Sequence, residues 1–216
     1  MLAKSHVLGG VLALAALAPI SAQASASTFQ FYGNGPLTDE VSVAPTFING
    51  SLAVTIRAYD DTGKLLSLAK RFDGLGAYGG GLDSTDVDSL FGGSAESLEL
   101  TFNKSVKLDA LGFSLWENGL FGPIDQATLT WGNQSFALGT NNDHGLLVNT
   151  FSWSGATAPT GTVFKITSVG TLSSFRLAGI GATAAVPEPT TVLLMGLGLA
   201  GIAFTARRAS GRNTAA

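Results

Sequence analysis

Leu52-Ala53-Val54-Thr55-Ile56-Arg57-Ala58-Tyr59 decides the fold class. Leu52, Val54, Ile56 and Ala58 alternate with Ala53, Thr55, Arg57 and Tyr59. A period of two puts one set of side chains on a buried face and the other on a wet face, which is the pattern of a half-buried β-strand. The alternation returns in Leu98, Leu100 and Phe102, in Phe113 and Leu115, and in Phe164 and Ile166, with polar residues or Trp116 between and after them. Further strands are predicted over 28–32, 65–70, 126–131, 134–138, 146–152 and 172–180. Turn formers separate these runs. Asp60-Asp61-Thr62-Gly63 reads as a hairpin turn, because Asp and Gly supply the side-chain acceptor and the positive φ that tight turns use. Gly is 28 of 216 residues, which suits a turn-rich β domain. The expectation is an all-β body, an antiparallel two-sheet sandwich of jelly-roll type, over 25–185. Within it, Gly181-Ala182-Thr183-Ala184-Ala185 reads as a linker.

Both ends of the chain have a different character. Residues 1–24 contain Lys4, an apolar run over 7–20 and the small-x-small step Ala22-Gln23-Ala24. This is the order of parts in a secretory signal peptide. At the other end, Val186-Pro187-Glu188-Pro189 precedes an uncharged apolar stretch over 190–206, and Arg207, Arg208 and Arg212 follow. A helix of that length spans about 25 Å, enough for one C-terminal transmembrane helix. The basic cluster holds its end on the cytoplasmic side. The two prolines exclude helix before the span and leave an extended stretch.

The tripartite end, Pro187-Glu188-Pro189, apolar span and Arg207-Arg208, resembles the PEP-CTERM sorting signal of Gram-negative bacteria. The resemblance covers 186–216. It implies an exosortase as partner, a membrane enzyme that processes the tail near Pro-Glu-Pro. It also implies a cell-envelope or extracellular destination, often in bacteria that make exopolysaccharide. Pro187, Glu188, Pro189, Arg207 and Arg208 then act as substrate and sorting signal rather than as catalysts. More loosely, 72–76, 83–88 and 96–102 resemble the β-sandwich ectodomains that precede such tails, a likeness that names no activity.

Composition limits the chemistry of the body. Cys is absent, which removes disulfides, thiolate metal sites and a Cys nucleophile. His6 falls in the signal peptide, so His144 is the one histidine of the mature chain, too few for a His-rich zinc site. Asp143-His144-Gly145 reads as a polar loop, and no Gly-x-Ser-x-Gly nucleophile elbow accompanies it. From Ser25 to Val186 there are eight basic and fourteen acidic residues. A mildly acidic body without a basic patch excludes nucleic acid as a partner.

Two candidate sites remain. Asp83-Ser84-Thr85-Asp86-Val87-Asp88 concentrates carboxylates and hydroxyls, and Glu96 stands before a strand. Calcium takes six to eight such hard oxygens, so Asp83, Asp86, Asp88 and Glu96 are candidate ligands for Ca2+. Trp116 and Trp131 stand beside Asn- and Gly-containing loops. An exposed indole face with neighbouring amides suits a sugar ring, so both are candidate polysaccharide contacts. No catalytic constellation is evident. The expected function is a non-enzymatic surface or extracellular-matrix protein interacting with exopolysaccharide. The alternatives are a secreted glycan hydrolase acting through a carboxylate pair and a purely structural surface protein.

Overall fold

The computed structural model describes residues 26–31, 40–80, 84–89, 95–117, 125–139, 149–185 and Gly198. The expected signal peptide over 1–24 lies outside the described residues, as does the span 190–206 apart from Gly198. Among the described residues no helix is long and apolar enough to cross a membrane. A compact unit covers Ala24–Ala185.

That unit is nearly all β. Its strands are β1 (Ala26–Gln30), β2 (Glu40–Ser42), β3 (Thr46–Asn49), β4 (Leu52–Tyr59), β5 (Leu65–Arg71), β6 (Gly74–Tyr78), β7 (Val87–Asp88), β8 (Ser97–Ser114), β9 (Gln126–Trp131), β10 (Gln134–Leu138), β11 (Asn149–Ser152), β12 (Thr160–Val169) and β13 (Ser174–Ala184). A 3-10 turn, Gly155–Thr157, stands between β11 and β12. All the pairings are antiparallel.

The strands β13, β6, β5, β4 and β8 pair in that order, and β8 pairs again with β13. These five close into a barrel, and β12, β9 and β10 extend from β8 as a side wing. The sequence reading expected two separate sheets. Pairing instead follows one path closed on itself, and the 18-residue β8 is the cause. Its first half, Ser97 to Phe102, pairs with β4, and its second half, Val106 to Ser114, pairs with β13. Asn103, Lys104 and Ser105 between them are exposed, and against β12 the register slips there. Such a bulge bends a strand, which lets one strand serve two neighbours along one edge.

A second irregularity resets the inward phase. Leu98, Leu100, Phe102, Val106 and Leu108 point inward, and then Leu111 and Phe113 do. The register shift falls where Gly181 faces Ala110 and Ala182 faces Leu108, so Asp109 is the extra residue. Strict two-residue alternation from Leu108 would turn Leu111 and Phe113 outward, and the bulge at Asp109 returns them to the inward face. The expected Leu115 does not join them. Its φ is 60° and its side chain is exposed, because the strand ends at Ser114.

The hairpin turn at Asp60 forms as the sequence predicts. Asp60 Oδ1 accepts the N–H of Thr62 at 3.0 Å and of Lys64 at 2.9 Å, and Gly63 takes φ 81°. Gly181 to Ala184 corrects the linker reading. These residues are the end of β13, paired on one edge with β1 through Thr183 and on the other with β8. Ala185 N–H continues the pattern, donating to Ser105 O at 2.9 Å.

The core is one cluster that joins the closed strands and the wing, with Leu52, Val54 and Ile56 of β4, Leu98 and Leu100 of β8, Phe164 and Ile166 of β12, and Leu177 and Ile180 of β13. Strand β1 is the plug at one side. Phe29 packs edge-to-face on Phe102 and Phe31 on Phe47, at centroid distances of 6.3 and 4.8 Å. On the β3 side β1 is tied by side chains. Asn49 Nδ2 donates to Thr28 O at 2.8 Å, and Ser27 Oγ donates to Asn49 O at 3.3 Å.

Candidate functional site

The acidic segment expected to hold calcium folds into a polar knot where the end of β5, the 84–89 segment and the start of β13 meet. Arg176 of β13 is its centre. Its Nε lies 2.7 Å from Asp86 Oδ1, its Nη1 contacts Asp73, and its Nη2 donates to Thr85 Oγ1 at 3.2 Å. Arg71 Nε donates to the same Thr85 hydroxyl at 3.1 Å. Ser174 Oγ donates to Asp86 Oδ2 at 2.9 Å. The Arg176, Asp73 and Asp86 side chains are 13%, 13% and 17% exposed. At that burial a guanidinium between two carboxylates neutralises charge that would otherwise be costly to desolvate.

The other expected ligands have their own partners. Ser84 donates its hydroxyl to the Asp88 carboxylate. Glu96 Oε2 accepts the Asp88 N–H at 3.1 Å, and Glu96 N–H donates to Asp88 O at 3.0 Å. Ser168 Oγ donates to the backbone oxygens of Asp88 and Glu96 at 2.7 and 3.2 Å, stitching the segment to β12. Asp86, Asp88 and Glu96 are thus brought to one end of the barrel as acceptors for an arginine, a serine and a backbone amide. Among the described residues no group of three His, Asp or Glu side chains could hold a metal ion. Asp83 lies outside the described residues, and so does His144.

Sequence reasoning missed the centre of this knot. Arg176 is the single charged residue between Lys165 and Glu188, set in an otherwise neutral strand. A lone cation in such a strand is the signal that could have marked it, because it needs a counterion once that strand is buried. Asp125 was missed as well. It is 2% exposed, and its Oδ1 and Oδ2 accept the N–H groups of Ser174 and Glu117 at 2.8 and 2.6 Å. Burial pushes its carboxyl up to about 6, against the opposing effect of those two hydrogen bonds. With both oxygens taken by backbone amides, Asp125 fastens β13 to the residues flanking 118–124.

The two tryptophans separate. Trp116 is 5% exposed, with Phe113, Phe151 and Phe175 at centroid distances of 5.1, 5.3 and 5.2 Å. Its ring is enclosed by aromatic neighbours, and Asn149 Nδ2 donates to its backbone oxygen at 3.0 Å. Core packing takes the place of the expected sugar platform. Trp131 is half-buried against the core at the end of β9.

Pro187, Glu188, Pro189, Arg207 and Arg208 lie outside the described residues, which in the body run to Ala185. There the comparison with protein families decides. The chain carries a PEP-CTERM protein-sorting motif over residues 185–208. All five residues of the expected sorting signal fall within that span. The PEP-CTERM motif marks an exported protein of the cell envelope, sorted by its C-terminal tail and processed by an exosortase. Comparison with curated proteins and with solved structures finds no match.

Proposed function

We propose that this PEP-CTERM protein is a non-enzymatic component of the cell surface or extracellular matrix, and that its β-barrel body contacts exopolysaccharide. In this reading residues 1–24 direct export and are removed. Residues 190–206 form a transmembrane helix that holds the body at the membrane until the tail is processed. The sorting motif over 185–208 is the observation that carries the proposal.

The outward face of the body supports the polysaccharide contact. Thr46, Thr55 and Thr101 stand side by side across β3, β4 and β8, and Thr167 and Thr128 across β12 and β9. These threonine hydroxyls offer donors and acceptors to sugar hydroxyls. Trp131 at the end of β9 is the remaining aromatic candidate. Asp86 is engaged by Arg176 and Ser174, so retention on polysaccharide is expected to survive a chelator.

The test is adsorption of the body on exopolysaccharide from the producing bacterium, with calcium and with chelator. Saturable retention without release of reducing sugar is the expected result. Release of reducing sugar would replace this reading with the glycan hydrolase. No retention under either condition would leave a structural surface protein.

A further inference from the structure

The sorting motif begins inside the folded body rather than after it. Its first residue, Ala185, donates a backbone hydrogen bond to Ser105 O at 2.9 Å. One residue, Val186, separates Ala185 from Pro187. Upstream, Gly181 to Thr183 pair with Thr28 to Ala26 on one edge and with Ala110 to Lys107 on the other. Ala184 pairs with Val106. Both edges of this backbone are therefore occupied up to Thr183, and one edge through Ala185.

An enzyme that binds an extended substrate does so largely through main-chain hydrogen bonds, as in β-strand addition. A residue whose N–H and C=O are already paired within a sheet has none to offer. We infer that the folded body meters its own tail processing. The end of β13, clamped between β1 and β8, withholds the residues upstream of Pro187, so the cut waits on local opening of that clamp. The inference rests on the reading of the tail as an exosortase substrate and adds a control on the partner's access. Scission of the backbone amide, with water or an amine as acceptor, belongs to the processing enzyme.

Strand β1 is the element that opens. Among the described residues it is the first strand of the body and has β13 as its one ladder partner, and Asn49 and Ser27 side chains link it to β3. Terminal elements with few partners sit at the low end of local opening free energies. Phe29 anchors β1 in the core, so its truncation weakens the clamp without touching the motif.

The test follows tail removal by pulse-chase of the full chain in a host that has its exosortase. One variant inserts about six Gly and Ser residues between Ala185 and Val186, roughly 20 Å of extended chain. It supplies free backbone upstream of Pro187 and leaves the clamp intact. Processing is expected to quicken by roughly tenfold or more, the effect of removing a local opening step of about 1.4 kcal/mol or above. Phe29→Ala alone is expected to quicken it too, and Phe29→Ala within the insertion variant to add nothing. An unchanged or slower rate in the insertion variant overturns the clamp, whether or not Phe29→Ala folds. If the tail of the unaltered chain and of every variant stays uncut, the exosortase-substrate reading itself fails, a result distinct from uniform processing at one rate.

Discussion

At the residue scale, Gly76 and Asp125 show where the body has no spare room and where it carries charge at a cost. A Cβ on Gly76 would stand 1.9 Å from Thr85 O, because the 84–89 segment crosses β6 at backbone contact. The obstacle is backbone anchored by the Arg176 knot, so it yields poorly. Gly76→Ala is expected to destabilise the body by about 2–3 kcal/mol, the upper range for overpacking, read as a lowered urea midpoint. A midpoint within error of the unaltered protein would show that the crossing is loose. Asp125 acts through pH. Its carboxyl titrates near 6 when folded and near 3.8 when exposed, so between those values the folded state holds the extra proton. Stability from this group is therefore fully present below about 4, falls as pH rises toward 6, and is level above that, a change on the order of 3 kcal/mol. Urea midpoints at several pH values across this window should show that fall, after the opposite trend of ordinary carboxylates is subtracted using Asp125→Asn. Identical pH profiles for the two proteins would rule out Asp125 as the source.

At the element scale, β1 tests how far a short terminal strand supports the core. It presents Ser27 and Phe29 inward, Phe31 follows it into the core, and Gly179 of β13 lets the two strands approach closely, since a Cβ there would lie 2.9 Å from Phe29 O. Phe29→Ala is expected to cost about 3–4 kcal/mol, the usual range for a buried Phe, with raised hydrogen exchange confined to β1 and its β13 partners. Exchange that rises equally in β9 and β10 would mean that β1 has no separate opening. Strands like β4, β9 and β10 were legible in the sequence because their alternation or their bounding Gly and Asn residues stand out. Gly181 to Ala184 was not legible, because small residues have weak strand preference and advertise no buried face. Pairing on both edges, a tertiary effect, makes them strand. The two bulges of β8 were equally hidden, since Asn103-Lys104-Ser105 is polar like any exposed stretch and a one-residue change of phase leaves no local mark. The polar knot escaped for a related reason. Asp86 was visible as a carboxylate, but its partner Arg176 is 90 residues away, so the acidic run read alone offered a candidate cation site or a solvated loop and no arginine partner.

At the scale of the whole molecule, the decisive feature is that the first and last strands are neighbours. Ala26 faces Thr183, so the chain enters and leaves the body side by side. During export, β1 emerges first and its partner last. The β1 ladder therefore cannot form until the chain through Thr183 has crossed, and contacts so distant in sequence are slow to form. Truncation separates the role of β13 from that of the tail. A chain ending at Ala185 keeps the pairs of β13 with β1 and β8 and is expected to give a protease-resistant body with an unaltered urea midpoint. A chain ending at Arg176 loses the pairing from Leu177 to Ala184 with β8, all of β1's partners, and the buried Leu177, Ile180 and Ala182. It is expected to be degraded after export, because the barrel then lacks the strand that closes it. Survival of the shorter chain as a resistant fragment would show that β4, β5, β6 and β8 hold together without closure. Loss of the longer chain would show that the tail takes part in folding as well as in sorting.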